Sequence, residues 1–285
     1  MGTLKVSELF YSIQGEGRYM GVPSVFLRVF GCNFTCGGFG MPKGEISDER
    51  NKIQAANFKI YNDLPLVSTG CDSYASWDPN FKHLSPMRDI SDIATDIVSL
   101  LPRHSWQDEH LVITGGEPLL GWQRSYPELL EHEDMRNLAE LTFETNGTQH
   151  LTKDFRHYLL DWTLNPKYGK RGRSALTFSV SPKLSVSGEK REDAIKPDVV
   201  CMYEEVGYTY LKFVVASEED VQEALEVIDI YRFNGFKGPV YLMPVGGVES
   251  VYNLNKKQVA ELAIKYGLRY SDRLHVGLWK NAWAT

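Results

Sequence analysis

Short apolar runs alternate with amphipathic stretches along most of the chain. Residues 24–30, Ser-Val-Phe-Leu-Arg-Val-Phe, read as a strand. Ile90, Ile93, Ile97, Leu100 and Leu101 recur at helical spacing and predict a helix over 90–101, with Asp89 placed to cap it. Leu111-Val-Ile-Thr is a short buried strand that runs into Gly115-Gly116. The pattern then predicts a helix over 126–138 and strands over 141–145, 174–180 and 208–215. Ser217 followed by Glu218, Glu219 and Asp220 starts a helix reaching about Tyr231, its acidic first turn suiting the positive helix end. A strand over 239–245, a helix over 255–266 and a short strand over 268–270 follow. Strands alternating with helices predict an α/β fold with a mostly parallel sheet and right-handed crossovers. Such folds build their sites at the C-terminal ends of the strands. Residues 41–66 are polar with little periodicity and read as a surface insertion, and no internal repeat is visible.

The length, 285 residues with 42% hydrophobic content, allows one large α/β domain or two small ones. A net charge of −6 without a basic run argues against a nucleic-acid partner held through phosphates, and favours a free small molecule. The first residues contain no apolar signal segment, no apolar run is long enough to span a bilayer, and Val6 stands where a myristoylation motif needs Ser or Thr. The expectation is a cytoplasmic protein with no membrane partner. In a reducing compartment its four cysteines read as metal ligands or buried thiols rather than disulfides. Cys201, among apolar neighbours, reads as a buried structural thiol.

The other three cysteines carry the chemistry. Cys32 and Cys36 follow the 24–30 strand, and Cys71 stands in Gly-Cys-Asp-Ser. Three thiolates can hold three irons of a [4Fe–4S] cluster and leave the fourth iron open. The Cys32–Cys36 spacing also satisfies a zinc site with a His such as His83, so a zinc-stabilised binding module is a second reading. Three strand ends offer further candidates. Gly115-Gly116-Glu117-Pro118 lets backbone approach a ligand and presents a carboxylate. Glu144-Thr-Asn146-Gly and Ser181-Pro-Lys183 follow the next two strands, where a plain turn and a surface Lys are the bland alternatives.

The Cys32/Cys36 spacing and the Gly-Gly-Glu-Pro stretch resemble the radical S-adenosylmethionine (SAM) enzymes. In most of them a third Cys follows after two residues, where this chain has Phe39; here 34 residues separate Cys36 from Cys71. Ser12-Ile-Gln14-Gly-Glu16-Gly, Arg28, Gly31-Cys32-Asn33 and Cys71-Asp72-Ser73 resemble one branch, the 7-carboxy-7-deazaguanine synthase family. The match resumes at Cys71, which favours an insertion over a broken site. The resemblance also takes in Lys212-Phe-Val-Val, Leu242-Met-Pro and Arg273-Leu-His275.

This resemblance implies a partial (β/α) barrel of the radical SAM type, a single domain over 1–285 with residues 37–70 inserted in the cluster loop. It implies a cluster on Cys32, Cys36 and Cys71, SAM held by Gly115, Gly116, Glu117, Glu144, Asn146, Ser181 and Lys183, and Mg²⁺ at Ser73, where the family usually has Thr. It implies the substrate 6-carboxy-5,6,7,8-tetrahydropterin, contacted by Gln14, Glu16, Arg28 and His275. For these the bland readings are a polar turn, a strand salt bridge and a packed core His. The implied reaction is a radical ring contraction with loss of ammonia, a step toward queuosine or a modified DNA base. A flavodoxin-type reductant and a homodimer accompany it. A glycyl-radical activase would share the cluster and Gly-Gly-Glu-Pro, but has no need of Gln14-Gly-Glu16 or Asp72-Ser73.

Overall fold

The computed structural model describes residues 2–165 and 172–285. Its first strand, β1 (Thr3–Ile13), pairs antiparallel with β2 (Pro23–Val29) and with the short β3 (Met87–Asp89). From β2 onward each strand lies parallel to its predecessor: β4 (His110–Gly115), β5 (Glu140–Thr145), β6 (Leu176–Val180), β7 (Tyr208–Val215), β8 (Val240–Pro244) and β9 (Arg269–Tyr270). The order β3-β1-β2-β4-β5-β6-β7-β8-β9 makes one mostly parallel sheet of nine strands among the described residues. Its ends do not pair, so the barrel is partial.

Successive strand side chains point to opposite faces, and here the two faces have opposite chemistry. Val25, Leu27 and Val29 of β2, Leu111 and Ile113 of β4, Phe178 of β6 and Leu211, Phe213 and Val215 of β7 turn outward into the main apolar core. The residues between them turn inward, where Arg28, Thr114, Glu144, Ser179 and Lys212 line one cavity. The helices α1 (Ile90–Leu100), α2 (Tyr126–Glu131), α3 (Lys153–Leu164), α5 (Pro197–Val206), α6 (Glu218–Phe233) and α7 (Glu249–Tyr266) cover the outer face, while α4 (Arg191–Ala194) packs Ala194 against Phe34 and Cys36 and α8 (Leu274–Trp279) brings His275 to the cavity. Leu159 and Trp162 of α3 and Val200 and Tyr203 of α5 are fully buried in that core.

Several expectations need correction. The helix over 126–138 stops at Glu131, because extended backbone at His132 breaks it and the His132 ring accepts from the Asp134 amide to start a separate 3₁₀ turn. Asp89 stands at the start of α1 without a side-chain cap; the Ile90 amide donates to the Gly2 carbonyl instead. The helix over 255–266 begins earlier, at Glu249, and the 174–180 strand starts at Leu176 after a 3₁₀ turn. β1, α3 and α5 were not anticipated. The Ser217 helix is as expected, with a capping box between Ser217 and Asp220. Cys201 is only partly buried, on α5, and its thiol donates to the Asn234 carbonyl at 3.3 Å.

Residues 41–66 are not a bare surface insertion. They contain 3₁₀ turns, and Tyr61, Leu64 and Val67 bury themselves with Tyr74, Phe81 and Leu84 in a small second core. The excursion closes at a neck, where the Gly70 amide donates to the Phe39 carbonyl at 2.7 Å and the Ser47 amide to Gly37 at 2.8 Å. Glu49 accepts from the Ser68 and Thr69 amides just inside it.

The main core is dense in aromatic rings. Phe143 is fully buried and meets Tyr126, Phe155 and Phe178 at ring separations of 5.4, 5.9 and 5.8 Å. Replacing Phe143→Ala removes those contacts and leaves a void, so a loss of about 3–5 kcal/mol is expected. A urea titration checks it: the midpoint falls with an unchanged slope.

Candidate active site

The inward side chains at the C-terminal strand ends surround a single cavity that all three candidate cluster cysteines line. Every residue that the resemblance assigns to cluster, SAM, Mg²⁺ or substrate lines it except Glu117.

At one wall lies the cysteine loop. Gly116 sits so close to it that a Cβ there would collide with the Gly31 carbonyl and the Cys32 side chain, while Gly115, at φ +151°, sits against the Val29 carbonyl. The glycines therefore bring two loops into contact and leave backbone facing the cavity. Cys36 takes the left-handed region at φ 47°. It is held there by Glu189, whose carboxylate accepts from the Thr35 amide at 2.8 Å and the Cys36 amide at 2.7 Å. The neck described above returns the chain so that Cys71 joins the other two. Burial pushes the Cys32 thiol up to about 12 and raises Cys36 and Cys71 as well, while Lys183 pulls all three the other way. Binding iron must therefore displace their protons. The thiols fit a cluster better than a single ion. In a cluster each Cys takes a different iron, and among the described residues no three His, Cys, Asp or Glu side chains converge on one ion position. His83, the ligand a zinc site would draft, is committed to the Phe58 carbonyl at 3.1 Å.

Glu117 departs from its expected role. Its fully buried carboxylate turns away from the cavity and accepts from the Thr145 hydroxyl at 2.8 Å and the Asn146 and Leu119 amides at 2.7 and 3.1 Å. It ties the end of β4 to the end of β5. Burial raises its pKa to about 7 despite those donors. Next to it Asn146 donates to Asn33 at 2.9 Å, which orients it at the cavity edge, and Lys183 donates to Ser181 at 3.1 Å.

The other wall is built on charge. Arg28 donates through Nε to Glu8 at 2.8 Å and through Nη1 to Ser73 at 3.2 Å. The strand salt bridge exists, but it is buried and holds the guanidinium at the cavity. Gln14 donates to Glu144 at 3.0 Å and accepts from the Glu16 amide at 3.0 Å. Glu16 pairs with Lys212 on β7 and with Arg273 at 3.1 Å, and Arg273 pairs with Asp72 at 2.7 Å. Burial works against each of these charges, but the partners outweigh it: Glu16 and Asp72 are held below their ordinary values and Lys212 and Arg273 above theirs. His275 is different. Burial and the neighbouring Arg273 lower it to about 4, so it is neutral near pH 7. Gly15 makes room for it, since a Cβ at that position would collide with His275 Nδ1. The 14–17 turn is thus more than a polar turn.

Sequence reasoning gave Lys212, Arg273, Asp72 and Glu8 no role in this wall. One signal was available for Lys212, a charged residue in the middle of an otherwise apolar strand, because buried Lys is rare unless paired.

Two relatives are similar over nearly their whole length. A 7-carboxy-7-deazaguanine synthase from Halobacterium salinarum is 32% identical, matching 98% of this chain and 91% of that protein. The chain belongs to the 7-carboxy-7-deazaguanine synthase family. A second family member, from Pyrobaculum aerophilum, is 28% identical over 98% of this chain and 96% of its own. The crystal structure of QueE from Escherichia coli shares the fold, with a TM-score of 0.55, 19% identity and coverage of 96% and 95%. No family model matches the chain. As a family member this chain is an enzyme, a radical SAM lyase that works with a [4Fe–4S] cluster and SAM on a small molecule. Among the described residues no helix is long and apolar enough to cross a membrane.

Two predictions follow from the packing of this site. Gly116→Ala forces the cysteine loop away, so the reconstituted variant should hold much less iron and sulfide than the parent. Glu16→Gln leaves Lys212 and Arg273 short of a buried partner and should cost about 3–5 kcal/mol, read by urea unfolding at pH 7. Because Glu16 and Asp72 titrate below their ordinary values of 4.5 and 3.8, their contribution is complete above those values and is lost as the pH falls beneath them. The acid limb of stability against pH should therefore be shallower in Glu16→Gln.

Proposed function

We propose that this chain converts 6-carboxy-5,6,7,8-tetrahydropterin to 7-carboxy-7-deazaguanine with loss of ammonia. The observation that carries the reading is one cavity lined by three cysteines and by Arg28, Gln14, Glu16 and His275. Cys32, Cys36 and Cys71 would hold the cluster. Gly115, Gly116, Glu144, Asn146, Ser181 and Lys183 would hold SAM, with Glu117 fixing the loop behind them. When bound, the cluster and SAM supply a one-electron reduction and the abstraction of a hydrogen atom from carbon.

The protein's own residues place the pterin. Arg28, already fixed by Glu8, offers a cation to its carboxylate. Glu16, kept ionised by Lys212 and Arg273, is acceptor-only and suits the N–H edge of the pterin ring. Gln14 supplies an amide beside it, and neutral His275 a ring nitrogen. Ser73 would hold Mg²⁺, because a hard cation takes oxygen ligands, in exchange for the bond its hydroxyl now accepts from Arg28 at 3.2 Å. We assign the chain a single domain with residues 37–70 as an insertion, a reading supported by the hydrogen-bonded neck. A flavodoxin-type reductant, a homodimer and a cytoplasmic location complete the reading.

The test is an anaerobic assay of reconstituted protein with SAM, reductant, Mg²⁺ and the pterin, followed by mass spectrometry. The expected result is the mass of 7-carboxy-7-deazaguanine; reductive SAM cleavage without that product would move the substrate to another class. Cys71→Ala should lose iron and sulfide as fully as Cys32→Ala. Arg28→Ala should keep pterin-free SAM cleavage and lose product, whereas equal loss of both would make Arg28 structural.

A further inference from the structure

The sheet leaves one side of the barrel open, since β3 and β9 do not pair with each other. Residues 281–285 cross that side and line the cavity. Their anchors come from three distant parts of the chain. Asn281 donates to the Gly247 carbonyl, after β8, at 2.7 Å. Ala284 packs against Phe10 and Phe26 on the inward face of β1 and β2. Between them the Trp283 indole N–H donates to the Leu64 carbonyl at 2.6 Å, and its ring meets Tyr61 and Tyr74 edge-on at 5.1 and 6.2 Å. Leu64 and Tyr61 belong to the 37–70 segment, so its small core doubles as the socket for Trp283.

The crossing segment does not hold its shape by local preference. Lys280, Asn281 and Ala284 all lie in the left-handed region, at φ 56°, 62° and 62°. Lys280 takes it as the cap of α8 and Asn tolerates it, but for Ala284 that conformation is unfavourable, and it persists where surrounding contacts impose it. The imposing contacts here are the three anchors, and Trp283 carries the largest side chain among them.

We propose that Trp283 is a positioning residue: docked in the socket built by residues 37–70, it latches residues 281–285 across the open side of the barrel as the outer wall of the pterin end of the cavity. The insertion then serves substrate binding through this latch, beyond its part in returning Cys71 to the cluster. The substrate named here rests on the function proposed above; the latch itself does not.

The test uses the reconstituted full chain with Trp283→Ala and Trp283→Phe. Trp283→Ala should raise KM for 6-carboxytetrahydropterin about tenfold or more with a much smaller change in kcat, the mark of lost uniform binding. Its iron content and its pterin-free SAM cleavage should stay within about twofold of the parent. Trp283→Phe keeps a ring and loses the N–H donor, so its KM should fall between. An unchanged KM in Trp283→Ala overturns the proposal, and so does loss of iron together with pterin-free cleavage, which would make Trp283 a general folding residue. Hydrogen exchange separates the latch from the substrate assignment. In Trp283→Ala the amides of residues 61–67 and 281–285 should lose protection together. If the parent makes no 7-carboxy-7-deazaguanine, the function reading fails and exchange alone decides: joint loss of protection supports the latch, and unchanged protection over 61–67 overturns it.

Discussion

Glu16, Lys212, Arg273 and Asp72 form one connected set of charges, with Lys212 and Arg273 buried at its centre, and the site depends on it. Glu16 lies in the turn after β1, Lys212 lies mid-sheet on β7, Arg273 precedes α8, and Asp72 follows Cys71. Keeping the buried Lys212 and Arg273 charged without carboxylate partners would be costly. Each partner therefore fixes the others, and the set draws the two ends of the chain and the returning cysteine loop to one place. It also sets the chemistry, since a carboxylate with two cations on it remains an acceptor at any physiological pH.

The sheet supplies the frame. Alternation along each strand sends Phe, Leu and Val to the helices and single polar residues to the cavity, so one apolar pattern both stabilises the fold and selects the lining. Facing pairs then come from register. Glu8 stands opposite Arg28, Arg28 opposite Thr114, and Glu144 opposite Ser179. Glycine finishes the work where backbones must touch, at Gly116 against the cysteine loop and at Gly15 against His275.

Residues 37–70 leave the cysteine segment and return to it through one neck. Loop closure costs grow slowly with length, and the Gly70–Phe39 and Ser47–Gly37 hydrogen bonds fix the two ends together. The Phe39 carbonyl accepts from the Gly70 amide and so brings Cys71 beside Cys32 and Cys36. The excursion also brings enough apolar surface, in Tyr61, Leu64 and Val67, to make a core of its own and to receive Trp283.

The sequence alone determined what is local: short apolar runs for β2 and β4 through β8, the acidic cap at Ser217, and the strand-end glycines. β1 escaped notice because polar residues interrupt its apolar ones, and α2 was drawn too long because its apolar spacing continues past the break at His132. Tertiary structure decided which groups meet. Lys212 lies 196 residues from Glu16, and Arg273 lies 257. No periodicity carries that pairing, which follows only once the strands are in register. The same holds for Glu117, whose motif suggested a ligand-facing carboxylate. Its orientation was settled by donors on β5 that the folded sheet places beside it. Patterns of burial are written residue by residue along a chain, whereas partners of buried charges are fixed by contacts that exist only when distant segments have already packed.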